Sequence, residues 1–404
     1  MNEDVYYHKT VTLRAGKQSL QFRTSQELFS SHDIDTGTRF LLRSIIEASY
    51  GDLQCILDLG CGYGPLGLTL KNLNRDSIVH MIDRDALAVE YSRQNAEFNG
   101  LEGIEIYGSL GYDDVKRTDF DLITSNIPGK VGETVIAYLL REARYYLSPG
   151  GIIAIVVVSA LESAVAKILE DTPGIEIILR RNRSGHAIFH YRFSGEPASS
   201  KPDRNALERG VYNRQYVKIR RDNLEYIMQT AYGLPEFDTI SYGNEMLVKA
   251  MTGMRGRDIQ RAVVFNSGQG HVAAALWKTT QPDNIALVDR DLLALRYSKL
   301  NLILNGCPPD KISTQHQVGL SLKSEEKVDL FIGVLREEEG KDATFLTLQQ
   351  AREKLSANGM IIVSTGSTAI TRLVTQVESQ GQLRVRTRER SRGYSLLVLE
   401  YKRN

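Results

Sequence analysis

The sequence predicts an α/β chain made of two tandem copies of one mostly parallel sheet flanked by helices. Three observations carry this. Asp83 to Gly100 reads DRDALAVEYSRQNAEFNG and Asp289 to Gly306 reads DRDLLALRYSKLNLILNG, ten identities in 18 positions at an offset of 206 residues. A repeat unit of about half the chain has the size of a domain, not of a solenoid module. Short apolar runs alternate with longer amphipathic segments, the pattern of a parallel sheet with helices on both faces. The first of those runs leads straight into three alternating glycines, Gly60, Gly62 and Gly64.

Taken in order, the first half offers strands at Cys55–Leu59, Ile78–Ile82, Ile104–Tyr107, Leu122–Thr124, Ile152–Val158 and Ile175–Leu179, with a seventh over Ala187–Phe193. Helical patterns run over Ala86–Asn99 and Glu133–Tyr146. The repeat extends outward. Gly37 and Phe40-Leu41 face Gly243 and Met246-Leu247, and Ala143-Arg144, Leu147 and Gly151 face Ala351-Arg352, Leu355 and Gly359 at offset 208. Arg183-Ser184 faces Arg390-Ser391. Between the copies lies SGEPASSKPDRN, Ser194 to Asn205, rich in Pro and Ser and poor in apolar residues, as an exposed linker is. The expected organisation is a domain over 1–195, a linker over 196–205 and a second domain over 206–404.

Composition narrows the function. The chain has 404 residues, 42% of them apolar, with 50 basic against 49 acidic residues. A net charge of +1 argues against a polycation that coats nucleic acid, while leaving room for a local basic patch. Three cysteines, Cys55, Cys61 and Cys307, make neither a disulfide framework nor a zinc spacing, so no metal is expected. Met1 to Lys17 is polar, and the apolar run Ile152–Val158 is far short of a membrane span. A soluble cytoplasmic protein is the expectation; nothing in the sequence sets its oligomeric state.

Ile56 to Gly67 reads ILDLGCGYGPLG. Glycines after a buried strand allow a tight turn and a close approach of backbone to ligand. Gly62 to Gly67 formally fits the dinucleotide fingerprint, with Asp83 as ribose partner. Asp58 points elsewhere: a carboxylate at the end of an apolar strand calls for a cationic or hydrogen-bonding partner. Asp58-x-Gly60-x-Gly62-x-Gly64, with an acid after the next strand, resembles the class I S-adenosylmethionine-dependent methyltransferases. That resemblance implies a Rossmann-like sheet of seven strands in each copy. It also implies that the glycine loop carries the methionine part of S-adenosylmethionine and that Asp83 takes the ribose hydroxyls. Asp85 is the better cap for the next helix. Ser109, after the next strand, is the side-chain candidate for the adenine.

After the fourth strand, Asn126-Ile127-Pro128-Gly129 resembles the N-P-P-aromatic motif of methyltransferases that act on planar nitrogen. An Asn oxygen and a carbonyl beside Pro can accept both N–H bonds of an exocyclic amine, favouring a pyramidal, nucleophilic nitrogen. The aromatic position holds Gly129, so stacking must come from elsewhere; Phe29, Tyr63 and Tyr112 are the candidates by position. Upstream, Leu28 to Leu42 (LFSSHDIDTGTRFLL) resembles the entry segment of the methyltransferase small domain, which occurs in tandem-domain ribosomal RNA guanine-N2 methyltransferases. By that resemblance Asp35 and Gly37 pack beside the cofactor, and the substrate is ribosomal RNA or a ribosomal subunit. A protein glutamine or small-molecule acceptor, or a cofactor-binding scaffold without catalysis, is the alternative.

The second copy departs. A gapless alignment puts Val264 opposite Asp58 and Asn266 opposite Gly60; a two-residue shift puts Asn266 opposite Asp58. Val334 and Arg336 stand opposite Asn126 and Pro128. A non-catalytic copy that supports the first or binds substrate is the expectation. Arg384, Arg386, Arg388, Arg390 and Arg392 alternate, which on a regular strand puts all five on one side; this is either a phosphate-binding face or a solvated one. Arg180, Arg181 and Arg183 occupy the similar place in the first copy.

Overall fold

The structure, a computed structural model, describes residues 4–195, 200–221, 223–236 and 238–402. The chain forms two compact units, Tyr7–Tyr212 and a second that begins at Asn213. In the first, a hairpin of β1 (Tyr7–Ala15) and β2 (Gln18–Ser25) precedes α1 (Thr36–Ala48). Strands and helices then alternate: β3 (Cys55–Leu59), α2 (Pro65–Leu73), β4 (Ile78–Asp83), α3 (Ala86–Phe98), β5 (Ile104–Gly108), β6 (Phe120–Asn126), α4 (Glu133–Glu142), β7 (Leu147–Val158) and α5 (Glu162–Glu170). A closing hairpin, β8 (Ile175–Arg183) and β9 (His186–Phe193), completes the unit. The seven-stranded sheet runs β5-β4-β3-β6-β7-β9-β8, with β9 antiparallel to both neighbours and the other pairs parallel.

Burial explains the sequence pattern. All five residues of β3 are buried, as are Ile152–Val157 of β7, because helices cover both faces of the sheet. Such strands read as continuous apolar runs. Two of the helices, α1 and α3, begin at acidic caps: Asp35 accepts the Thr38 N–H at 2.9 Å, and Asp85 accepts the Leu87 N–H at 3.0 Å, as expected of Asp85.

The second unit repeats the order: β10 (Asn213–Arg221), β11 (Leu224–Ala231), α6 (Tyr242–Thr252), β12 (Arg261–Phe265), α7 (His271–Thr280), β13 (Asn284–Asp289), α8 (Leu292–Leu304), β14 (Ile312–His316), β15 (Val328–Val334), α9 (Gly340–Lys354), β16 (Leu355–Gly366), α10 (Ser367–Gln380), β17 (Leu383–Ser391) and β18 (Tyr394–Tyr401). Its sheet order, β14-β13-β12-β15-β16-β18-β17, is that of the first unit. One apolar cluster lies on each side of the sheet, one around Leu247, Val264 and Leu287, the other around Phe265, Phe331 and Leu397.

The residues shared by the two copies are largely structural. Asn95 accepts the Arg23 N–H at 2.7 Å and donates to the Arg23 carbonyl at 3.0 Å, while Asn99 pairs with both backbone groups of Gln21. Asn301 and Asn305 do the same for Gln229 and Ile227. In each unit two asparagines of one helix satisfy the open edge of the N-terminal hairpin, as a neighbouring strand would. Those hairpins are the elements the sequence did not announce.

Of the stretch expected as a linker, 196–199 lie outside the described residues. The segment from Lys201 to Arg209 is bound to the first unit. Lys201 lies 4.0 Å from the Tyr146 ring centre, Ala206 N–H donates to Asp113 at 2.8 Å, and Arg209 pairs with Glu142 at 2.5 Å.

The arginine row of the second copy is not one face. The register of β17 on β18 shifts between Val385 and Thr387, so the extra residue reverses the alternation. Arg384 pairs with Glu400 at 2.5 Å, whereas Arg388 and Arg390 donate to Thr371 of α10 at 2.7 and 3.2 Å. Arg392 lies over Tyr242 at 4.8 Å. The expectation of five guanidinium groups side by side is corrected by that single bulge.

Candidate active site

The strand order changes direction between β3 and β6, and open α/β sheets bind ligands at the carboxyl ends of such strands. Asp58 pairs in register with Thr124, and the Ser125 hydroxyl donates to the Leu59 carbonyl at 2.7 Å, so the residues that lead into the glycine loop and into Asn126 lie side by side. The glycine loop and the Asn126-Ile127-Pro128 segment are thereby neighbours.

The loop needs its glycines for different reasons. Gly60 has φ +79° and Gly62 +58°, left-handed values that side chains resist, yet a Cβ on either would meet nothing within 4 Å. The space over them is open. Gly64, at φ +96°, would collide with Leu68 and Met81 at 2.9 and 3.0 Å, so it is needed for packing. Gly60 and Cys61 N–H groups both donate to the Ile82 carbonyl, tying the loop to the end of β4. Asp83 sits there, half-buried, accepting the Gly62 N–H at 2.9 Å on one oxygen and the Asp85 N–H at 2.9 Å on the other.

Asp58 is 1% exposed and accepts the Gly67 N–H at 2.8 Å. Burial pushes its carboxyl up to about 7, the Gly67 N–H opposes the rise, and the negative charge of Asp83 adds to it. A Cβ on Gly67 would lie 2.8 Å from Asp58 Oδ2, so this glycine lets α2 settle onto the carboxylate. The cysteines are inert: all three are free and buried, and burial holds the Cys55 thiol at about 12.

Asn126 is held from one side. Its Nδ2 donates to Asp35 Oδ2 at 2.8 Å and to Thr38 Oγ1 at 3.1 Å. An ionised carboxylate only accepts, so the amide nitrogen must face Asp35 and the amide oxygen must face away. Asp35 therefore both caps α1 and orients Asn126. The resemblance implied that Asp35 packs beside the cofactor, but not this contact; 91 residues separate the pair, and no pattern in one sequence links them. Ile127 is buried, whereas Pro128, Gly129 and Lys130 are exposed.

The other expected residues divide. Ser109 is buried; its hydroxyl donates to the Gly111 carbonyl at 2.7 Å and accepts the Asp114 N–H at 3.2 Å. It closes its own turn. Of the three stacking candidates, Tyr63 and Tyr112 are each 2% exposed, and Tyr112 stacks on Tyr146 at 4.6 Å between ring centres. Phe29 alone is exposed, at 71%, and the carbonyl of its neighbour Ser30 accepts the Tyr63 OH at 3.2 Å. Among the described residues no cluster of His, Cys, Asp and Glu could hold a metal, and no helix is long and apolar enough to cross a membrane.

The second unit has the same frame, with the space over Gly268, the counterpart of Gly62, likewise open. Val264 pairs with Leu287 as Asp58 pairs with Met81, so the register decides for the gapless alignment. Asn266 takes the left-handed position, φ +47°, and its Nδ2 donates to the Val334 carbonyl at 2.8 Å. Arg336 reaches Asp289, the counterpart of Asp83, at 2.7 Å, with the carboxylate fully buried.

The model of the methyltransferase small domain family matches residues 19–182. The Bacillus subtilis protein YbxB is 31% identical over 188 residues, 44% of this chain and 92% of that protein. The chain belongs to the methyltransferase small domain family. Within it, the ribosomal RNA small subunit methyltransferase C of Haemophilus influenzae is 33% identical over 160 residues, 39% of this chain and 45% of that protein. The chain thus spans under half the length of that curated methyltransferase. A solved structure of the T. thermophilus 16S rRNA N2 G1207 methyltransferase, in complex with AdoMet and guanosine, gives a TM-score of 0.67 at 16% identity, covering 98% of this chain and 99% of that one. That likeness concerns the fold. The methyltransferase small domain match lies wholly in the first unit, around the glycine loop, Asp83 and Asn126.

Proposed function

We propose that the first unit is an S-adenosylmethionine-dependent N-methyltransferase acting on an exocyclic amine of ribosomal RNA, with guanine N2 as target atom. The observation that carries the reading is the amide of Asn126, fixed by Asp35 with its oxygen on the other side, on the strand beside the one that leads into an open glycine loop. The residues fit the cofactor: Gly60 and Gly62 leave room that a side chain would fill, the Asp83 carboxylate beside the loop would accept the two ribose hydroxyls, and Asp58 brings negative charge under the loop. Ser109 shapes the turn beyond Asp83 rather than presenting its hydroxyl. When bound, S-adenosylmethionine supplies an electrophilic methyl group on a sulfonium.

The chain does the rest by orientation. Asn126 Oδ1 accepts one N–H of the substrate amine and the Ile127 carbonyl, held by Pro128, accepts the other. The nitrogen lone pair is drawn out of the ring and aimed in line, which is catalysis by positioning and fixed dipoles. Phe29 supplies the ring face that Gly129 lacks. The second unit, with Val264 and the Arg336–Asp289 pair, is non-catalytic and supports the first or binds substrate. An rRNA substrate implies a cytoplasmic enzyme.

The test is transfer of labelled methyl groups to RNA and protein fractions of cells lacking the gene. Label in rRNA, reduced by roughly a hundredfold or more in Asn126→Ala with cofactor affinity kept, supports the reading. Label confined to protein favours a glutamine acceptor, the alternative to which exposed Gly129 points. Cofactor binding without any transfer leaves a scaffold. Unchanged transfer by Asn126→Ala removes Asn126 from the mechanism.

A further inference from the structure

A cavity of about 320 Å³ in the first unit lies between α1 and the end of β8, and the proposed methyl transfer makes no use of it. Phe40, Arg43 and Glu47 of α1 form one wall; Arg181, Asn182 and Arg183 of β8 form the other. Arg181 is paired with Glu47 at 2.7 Å, whereas exposed Arg43 and Arg183 make no ion pair among the described residues. Three guanidinium groups against one carboxylate leave the cavity positive.

The sequence alone did not show which arginines share this face. The register of β8 on β9 shifts between Ile177 and Leu179; beyond it Arg181 stands opposite Ile188 and Arg183 opposite His186, on one side of the strand. Arg180 is on the other side, paired with Glu162 of α5 at 2.6 Å.

The cavity and Asn126 share one helix. The first turn of α1 holds Asn126 through Asp35 and Thr38, and a Cβ on Gly37 would lie 2.7 Å from His186 Cδ2, so the β8–β9 turn packs on that same turn. From Thr38 to Arg43 the helix rises roughly 8 Å and turns by about 140°, so the groove lies on the face of α1 turned away from Asn126.

We propose that this groove holds a backbone phosphate of single-stranded RNA outside the active site, with an unstacked base against Phe40. The inference rests on the proposed function. Guanidinium forks match phosphate oxygens, and aromatic rings take unstacked bases. An acidic peptide would answer the charge but leave the ring unused.

The test uses the full chain with bound S-adenosylmethionine and a short labelled single strand of mixed-sequence RNA, read by anisotropy over a salt series, beside methyl transfer to rRNA. Arg43→Ala/Arg183→Ala is expected to weaken RNA binding roughly tenfold or more. It is also expected to flatten the slope of log affinity against log salt by about 0.7 for each phosphate that is no longer neutralised. KM for RNA rises while kcat and cofactor affinity hold. Glu47→Gln, which removes the only carboxylate of the lining, is expected to tighten RNA binding severalfold; a groove with a merely structural role would not respond so. Unchanged affinity and salt slope in the double variant, in protein that still methylates RNA, overturns this inference and leaves the function standing. Polyglutamate bound as tightly as RNA overturns it in favour of an acidic protein partner. Failure of the unaltered protein to bind or methylate RNA removes the function itself.

Discussion

Asp58→Asn separates what this carboxylate does for the fold from what it does for the cofactor. The side chain is wholly buried, takes one N–H from Gly67, and is pushed up from 3.8 to about 7, chiefly by loss of water. A rise of about three units is worth about 4 kcal/mol. The folded-state pKa lies above the unfolded one. The contribution is therefore fully present below about pH 4 and is lost as pH rises through about 7. At pH 8 the cofactor-free protein carries a costly ionised group. Asparagine keeps the oxygen for Gly67 and removes the charge, but brings an amide nitrogen that needs a partner, at about 1–3 kcal/mol. The net expectation at pH 8 is a gain of about 1–3 kcal/mol, raising the first unit's Tm by roughly 2–4 °C per kcal/mol. The assay is thermal unfolding of both proteins without cofactor from pH 4 to 8, reading the difference so that other titrating groups cancel. S-adenosylmethionine binding at pH 8 should weaken in the same variant, because the negative charge under the loop is gone. A Tm difference that does not change with pH would refute the reasoning from burial. Val264, buried at the same register in the second unit, shows that the frame stands without the carboxylate.

Asp35→Asn keeps a good helix cap but no longer dictates which end of the Asn126 amide faces it. Tm should stay within a few degrees and cofactor affinity should hold, while kcat falls roughly tenfold; an unchanged kcat would sink the orienting role. His190 is buried between Ser44 at 2.8 Å and Tyr50 at 2.5 Å, and burial lowers it to about 4. Its stabilisation is complete above pH 6.5 and is lost as pH falls toward 4, about 3 kcal/mol in all; denaturant titrations of His190→Gln should lack that part of the slope. Arg336→Ala leaves the Asp289 carboxylate buried without its cation and should cost about 3–5 kcal/mol of the second unit's stability by urea unfolding. Equal midpoints for the two proteins would show that the pair contributes nothing to that unit.

The sequence by itself determined the duplication, the alternation of strands and helices, and the local chemistry of the first copy. Each of these is written over a few consecutive residues: glycines that must turn left-handed, an acid at a strand end, buried strands without alternation. The segment shared by the two copies shows how far that reaches. Asn95 and Asn301 announced a repeat, yet their work is to satisfy a hairpin edge that lies 72 residues away in both copies. Only the tertiary structure decided how the arginines face, because one extra residue in β8 or β17 reverses a period of two. It alone separated Phe29, whose ring is exposed, from Tyr63 and Tyr112, which fill the core. It alone joined Asp35 to Asn126 and Arg336 to Asp289. Contacts across the sheet depend on register and strand order, which arise from the packing of the whole unit and leave no mark in either partner's neighbours along the chain.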